Sequence, residues 1–163
     1  MINIRYDSPD TSISCRSSTS CSSGFITGSG YNLWLSTDAP DLDIFVYLEE
    51  VDRKGHSTYI SEGNLLASHR TQSPAPYDKL GLPHHSHRES DLEPIRAGEP
   101  FEMVFDLLPT SYLFRAGNRI RIAIAFADSD NFDTPVLDPP PTVKLMRSLR
   151  QPTYVELPVN KNL

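Results

Sequence analysis

Cysteine is nearly missing from this chain. Cys15 and Cys21 are the only two in 163 residues, and both lie in a serine-rich stretch. A bridge between them would close a small loop with little to pack against, and the neighbourhood offers too few further ligands for a metal. Two incidental thiols are the reading, which excludes a disulfide framework. Long apolar runs are missing too. None approaches the ~20 residues of a spanning helix, and Met1-Ile2-Asn3-Ile4-Arg5 is not followed by the apolar segment of a secretory signal. The expected compartment is the cytoplasm, with no membrane partner.

Positive charge is also in short supply. Fifteen Lys and Arg stand against twenty-one Asp and Glu, a net charge of -6, and the basic residues form no stripe along the sequence. Nucleic acid is therefore not an expected partner. Nucleotide-binding glycine patterns are absent, and so is the G-x-S-x-G elbow of α/β-hydrolases. Gly28-Ser29-Gly30 resembles that elbow only superficially, because no strand-to-helix setting surrounds it. No sustained helical period appears.

What the sequence does contain is alternation. In Arg119-Ile120-Arg121-Ile122-Ala123-Ile124-Ala125-Phe126-Ala127 every second residue is large and apolar, which predicts a central strand. Burying those four side chains contributes roughly 1.5–3 kcal/mol each before conformational entropy is counted. Tyr31–Ser36, Asp43–Val51, Ser57–Ile60, Leu65–His69, Phe101–Phe105, Val143–Arg147 and Thr153–Leu157 read as further strands. Asp52-Arg53-Lys54-Gly55 reads as a hairpin loop with glycine at a positive φ, Glu62-Gly63-Asn64 as a break, and Thr110–Arg115 as a short helical turn.

Residues 1–30 are dominated by Ser, Thr and Gly from Ser8 onward and predict an irregular or mobile leader. Residues 31–163 form the domain. Thr71–Pro100 carries Pro74, Pro76, Pro83, Pro94 and Pro100 without any period, and reads as a long arm. Many short strands, proline-rich loops and no long helix predict an all-β fold, an antiparallel β-sandwich of jelly-roll, galactose-binding-like type.

Few constellations suggest chemistry. His84, His85 and His87 are the metal-ligand candidates, but neighbouring side chains on an extended arm point in different directions and a structural site wants four ligands. An interaction loop is the preferred reading of that segment. Asp128, Asp130 and Asp133 offer oxygens without calcium-loop spacing, and turn capping accounts for them. Trp34 and the tyrosines suggest a sugar-stacking face, yet the position of Trp34 within a strand favours the core. No catalytic residue, cofactor or metal is assigned.

Several motifs occur in the order of one family. Leu33-Trp34-Leu35-Ser36-Thr37-Asp38-Ala39-Pro40-Asp41-Leu42-Asp43-Ile44-Phe45-Val46-Tyr47-Leu48 is followed by Glu62-Gly63 and Leu66-Ala67-Ser68-His69-Arg70. Phe105–Ser111, then Phe114-Arg115-Ala116-Gly117-Asn118-Arg119-Ile120-Arg121-Ile122, then Asp128–Pro135 complete the series. From Tyr31 onward the chain resembles the C-terminal domain of X-Pro dipeptidyl-peptidases and cocaine-esterase-like or α-amino acid ester hydrolases.

The resemblance implies a non-catalytic accessory domain that packs on an α/β-hydrolase domain, carries none of its Ser-His-Asp triad, and helps wall the substrate pocket. It also implies that the family's usual histidine is replaced here by Asn118, whose amide still donates and accepts. The expected partner is an α/β-hydrolase domain or subunit, or a second copy through the same face. Met1–Gly30 departs from the family pattern, and the expectation is a shortened reading frame that kept the accessory domain behind a degenerate leader. A free-standing carbohydrate-binding module is the alternative.

Overall fold

The computed structural model describes the backbone of residues 5–6, 12–15 and 24–26, and the chain over residues 30–133 and 137–157. Among the described residues eleven strands run in the order β1 (Arg5–Tyr6), β2 (Ser12–Cys15), β3 (Gly24–Ile26), β4 (Gly30–Thr37), β5 (Asp43–Val51), β6 (Ser57–Leu66), β7 (Phe101–Asp106), β8 (Thr110–Tyr112), β9 (Arg119–Ala125), β10 (Val143–Leu145) and β11 (Tyr154–Glu156). Among the described residues the helical pieces are two single 3-10 turns, Ala67–His69 and Glu89–Asp91.

All pairings are antiparallel. One sheet has the order β1-β2-β9-β5-β6, so the strand predicted from the Ile120–Phe126 alternation is its middle. In the second sheet β4 lies between β7 on one side and β10 with β11 on the other. β3 and β8 form a separate two-stranded pair. The expected antiparallel sandwich is therefore the observed one.

Period two decides which side chains meet. Ile44, Val46 and Leu48 of β5 and Ile120, Ile122 and Ile124 of β9 face Tyr31, Leu33 and Leu35 of β4 and Phe101, Met103 and Phe105 of β7 in one core. The sheets approach closely where Gly63 of β6 passes the end of β7. A Cβ at Gly63 would collide with the backbone carbonyl of Asp106, so only glycine fits there. Ser61 Oγ donates to Leu108 O at 2.6 Å, and Leu108 N donates to Glu62 O at 2.8 Å, clasping the corner.

On the other flank of β4, β10 and β11 are two short strands separated by a protruding loop. Thr153 bridges the gap. Its hydroxyl accepts from Trp34 N at 3.1 Å and donates to Met146 O at 2.7 Å, while Met146 N donates to Trp34 O at 2.7 Å.

Four expectations are corrected. Glu62-Gly63-Asn64 is not a break, because β6 runs unbroken from Ser57 to Leu66 with an irregularity opposite Leu48 and Glu49. The glycine marks a close backbone approach instead. The strand expected over Leu65–His69 stops at Leu66, and Ala67–His69 turns as 3-10 helix. Thr110–Tyr112 is a strand, not a helical turn, since β3 supplies it with a partner. Trp34 is half-buried on the outer face, because Tyr31, Leu33 and Leu35 take the inward parity.

Within residues 1–30 the described pieces are strands, where the composition predicts an irregular leader. β2 pairs with β9 through Ser12↔Ala123 to Cys15↔Ile120, and β1 adds to β2. A backbone ladder needs a free neighbouring edge more than apolar side chains, which is why composition alone misses such strands. The Cys15–Cys21 reading lies outside the described residues.

Candidate functional site

Three places bring polar groups together: one end of the sandwich, the arm, and the loop after β9. At the end where β5 stops, Glu50 is only 5% exposed and lies beneath the turn leading into β9. Its carboxylate accepts the Tyr112 hydroxyl at 2.6 Å and the Arg115 amide at 2.6 Å. The Asn118 side chain supplies a further hydrogen bond. Burial alone pushes the Glu50 carboxyl up, but these donors and the nearby Arg115 charge outweigh it and hold it below the ordinary glutamate value. The donation in turn raises the Tyr112 phenol.

The turn itself closes through Asn118 N donating to Arg115 O at 3.1 Å, with Gly117 at φ 86. Across from it, the Asp52–Gly55 loop is organised by Asp52 Oδ1, which accepts from Lys54 N at 2.8 Å and His56 N at 2.9 Å. Gly55 has the expected positive φ. The Arg53 guanidinium lies directly on Gly117, in the space a Cβ would need. The sequence places Asn118 at this turn, but nothing in it marks Glu50, whose role follows from depth and not from any motif.

The arm, Thr71–Pro100, carries no strand among the described residues and folds over the outer face of β4 and β7. His85 is 8% exposed, and its ring nitrogens face Thr71 O at 3.2 Å and Val104 O at 2.9 Å, which pins the arm to the free edge of β7. His84 Nδ1 meets Ser73 Oγ at 3.0 Å. His87 packs near His69, with ring centres 5.5 Å apart, and near His85 at 6.2 Å. Burial first, then the charges of His69, His85, His84 and Lys79, lower the His87 imidazole. Among the described residues no group of three or more His, Cys, Asp or Glu is placed to hold a metal ion. His84, His85 and His87 thus act as separate clasps within the arm.

Ser73 and His84 make a serine–imidazole contact that lacks the rest of a triad. A triad also needs a group orienting the base and donors for an oxyanion. Among the described residues no carboxylate is hydrogen-bonded to His84, and Ser73 N donates to His84 O at 2.9 Å, so the pair staples two segments of one loop.

Two grooves flank the arm. One, of 660 Å³, is lined by Trp34, Arg70, Glu93, Phe101 and Glu102 among others. The other, of 590 Å³, is lined by Asn32, Tyr77, Lys79, His84 and Tyr154 among others. Arg70 pairs with Glu93 at 2.8 Å, and Lys79 with Asp106 at 3.2 Å. These charges hold the arm down.

The acidic loop is capped internally. Asp128 accepts from Tyr47 Oη at 2.8 Å and from Asn131 Nδ2 at 3.0 and 3.1 Å, and Phe132 packs on Phe45 with ring centres 4.8 Å apart. Turn formation accounts for Asp128, as the spacing implies.

This sandwich with its long arm has counterparts in known proteins. Two mycobacterial proteins whose names give them as inferred serine esterases, one from Mycobacterium bovis and one from Mycobacterium tuberculosis, are each 43% identical over 129 residues. The match covers 78% of this chain but 20% of either relative, so the chain spans about a fifth of their length. A CocE/NonD family hydrolase from Staphylococcus aureus superposes with a TM-score of 0.64 at 18% identity, over 91% of this chain and 30% of that one. An α-amino acid ester hydrolase gives 0.62 at 17% identity, over 92% and 26%. At such identities these structures show a shared fold. Residues 29–156 match the X-Pro dipeptidyl-peptidase C-terminal non-catalytic domain. The chain belongs to that family.

Proposed function

We propose that this chain serves as the accessory domain of a serine hydrolase with esterase or peptidase activity, packing in cis on an α/β-hydrolase catalytic domain and helping to shape its substrate pocket. The observation that carries the reading is the match over residues 29–156 to a non-catalytic domain family, in a chain that spans a fifth of its esterase-named relatives. The site geometry agrees with it. The buried carboxylate, the histidines and the ion pairs all fix loops in place, and Ser73 and His84 stop short of a triad. The other expected partner, a second copy meeting the same face, is read by light scattering of the isolated chain. A cytoplasmic home belongs to the same proposal, supported by a sequence with two cysteines in 163 residues.

The test is a chimera in which this chain replaces the matching segment of the Mycobacterium tuberculosis relative. Esterase turnover on p-nitrophenyl butyrate within about threefold of the parent supports the reading. A folded chimera that has lost turnover overturns it.

A further inference from the structure

The described cations are unevenly placed. Arg53 and Lys54 sit in the β5–β6 loop, Arg115 in the turn after β8, and Arg119 at the start of β9 opposite Val51. With Arg53 resting on Gly117, all four share one end of the sandwich. All four are exposed, and none makes an ion pair among the described residues; Arg70, Lys79, Arg96 and Arg121 are paired, and the other exposed cations without an ion pair, Arg88, Lys144 and Arg150, are scattered over the arm, β10 and the loop after it. Two carboxylates lie nearby, Asp52, which holds its own loop and His56, and Glu50 beneath the turn, and the four cations outnumber them.

The far end is acidic. Asp38 and Asp41 lead into β5, Asp43 begins it, and Asp128, Asp130 and Asp133 follow the other terminus of β9. The hydrogen bonds that reach Asp38, Asp41 and Asp128 come from neutral donors, which leave the negative charge in place. β5, nine residues long, separates the two ends by about 30 Å. A chain of net charge -6 thus carries one tip where four cations meet two carboxylates.

We propose that this tip is the docking end: Arg53, Arg115 and Arg119 seat the domain on a carboxylate-bearing surface of its catalytic domain, and the aspartate end faces solvent. The inference rests on the accessory reading above and adds the face and the partner's chemistry. Protein interfaces are enriched in arginine and depleted in aspartate, and a guanidinium grips a carboxylate bidentately while shedding its water more readily than an ammonium. Leu113, half-exposed beside Arg115, adds the apolar surface an interface centre wants. Glu50, held by Tyr112, Arg115 and Asn118, fixes the turn before any partner arrives, which lowers the ordering cost of binding.

Hydrogen exchange read by mass spectrometry, on the isolated chain and on the active chimera, tests this. Amides of 52–56 and 113–119 are expected to exchange at least tenfold more slowly in the chimera, with 128–133 unchanged. Arg115→Glu with Arg119→Glu should return the basic end to the isolated chain's rates, and circular dichroism of the isolated double variant checks that it folds. Protection of 128–133 with the basic end free, or protection that survives the double reversal in a folded variant, overturns the inference while the active chimera leaves the accessory reading standing. A folded chimera with neither turnover nor protection overturns both.

Discussion

The Tyr112 hydroxyl donates to the buried Glu50 carboxylate across 2.6 Å, tying β8 to the end of β5. Removing that carboxylate strands the Tyr112 hydroxyl and the Arg115 amide together. Glu50→Ala is expected to cost about 2–4 kcal/mol, since each unpaired buried donor forfeits roughly 1–3 kcal/mol. Urea denaturation followed by circular dichroism checks this, and a loss under about 0.5 kcal/mol would contradict the assigned role.

Acid should act through the same residue. The folded-state carboxyl is held below the ordinary glutamate value, so its contribution is present above the unfolded pKa and disappears as pH falls through the folded one. Thermal midpoints of the wild type should decline below about pH 4, starting from the ordinary glutamate value near 4.3. Glu50→Gln should decline less over that interval, although it begins lower.

His87 has the opposite charge type and the same dependence. Burial and the neighbouring histidines depress its imidazole, so the folded state resists its protonation and loses stability as pH falls below the ordinary histidine value of about 6.5. Proton NMR should show the His87 ring titrating below that value. A midpoint above it would contradict the packing described around His69 and His85.

Gly63→Ala places a methyl against the Asp106 carbonyl, where neither strand can retreat without opening the core. The expected loss is about 1–3 kcal/mol, in the range of other overpacked sites. Equilibrium unfolding of the purified variant measures it, and a neutral result would mean that β6 and β7 lie further apart.

Ser73 should be chemically silent. The isolated chain is expected to show no turnover of p-nitrophenyl acetate above buffer and no labelling of Ser73 by a fluorophosphonate. Labelling abolished by His84→Ala would show instead that the pair forms an activated nucleophile.

Much of this architecture is legible in the sequence. β5 has the predicted bounds Asp43–Val51, and β7 and β9 follow their alternating phenylalanines and isoleucines, because side chains with one buried face leave a period-two record. Gly63 misleads, since a glycine that ends a strand and a glycine that admits a neighbouring backbone look alike in one dimension. Trp34 misleads for a related reason: in a strand covered on both sides, residue type does not reveal parity. Glu50 left no signal at all, because its donors come from residues 62–68 positions later and meet it only in the folded chain. The two short strands around Ser12 and Gly24 owe their pairing to edges offered by β9 and β8, not to their own composition.

The divided flank of β4 bears on how this domain meets other polypeptides. A continuous outer strand would display an unbroken row of amides and carbonyls to any passing polypeptide. Here β10 and β11 are three residues each, and fully exposed Leu149 stands on the loop between them, so on this flank an incoming chain finds no register longer than one short strand to extend. The interruption that Thr153 spans therefore guards this flank against fibril-like stacking, and closing it into one long edge would trade that protection for a stickier surface.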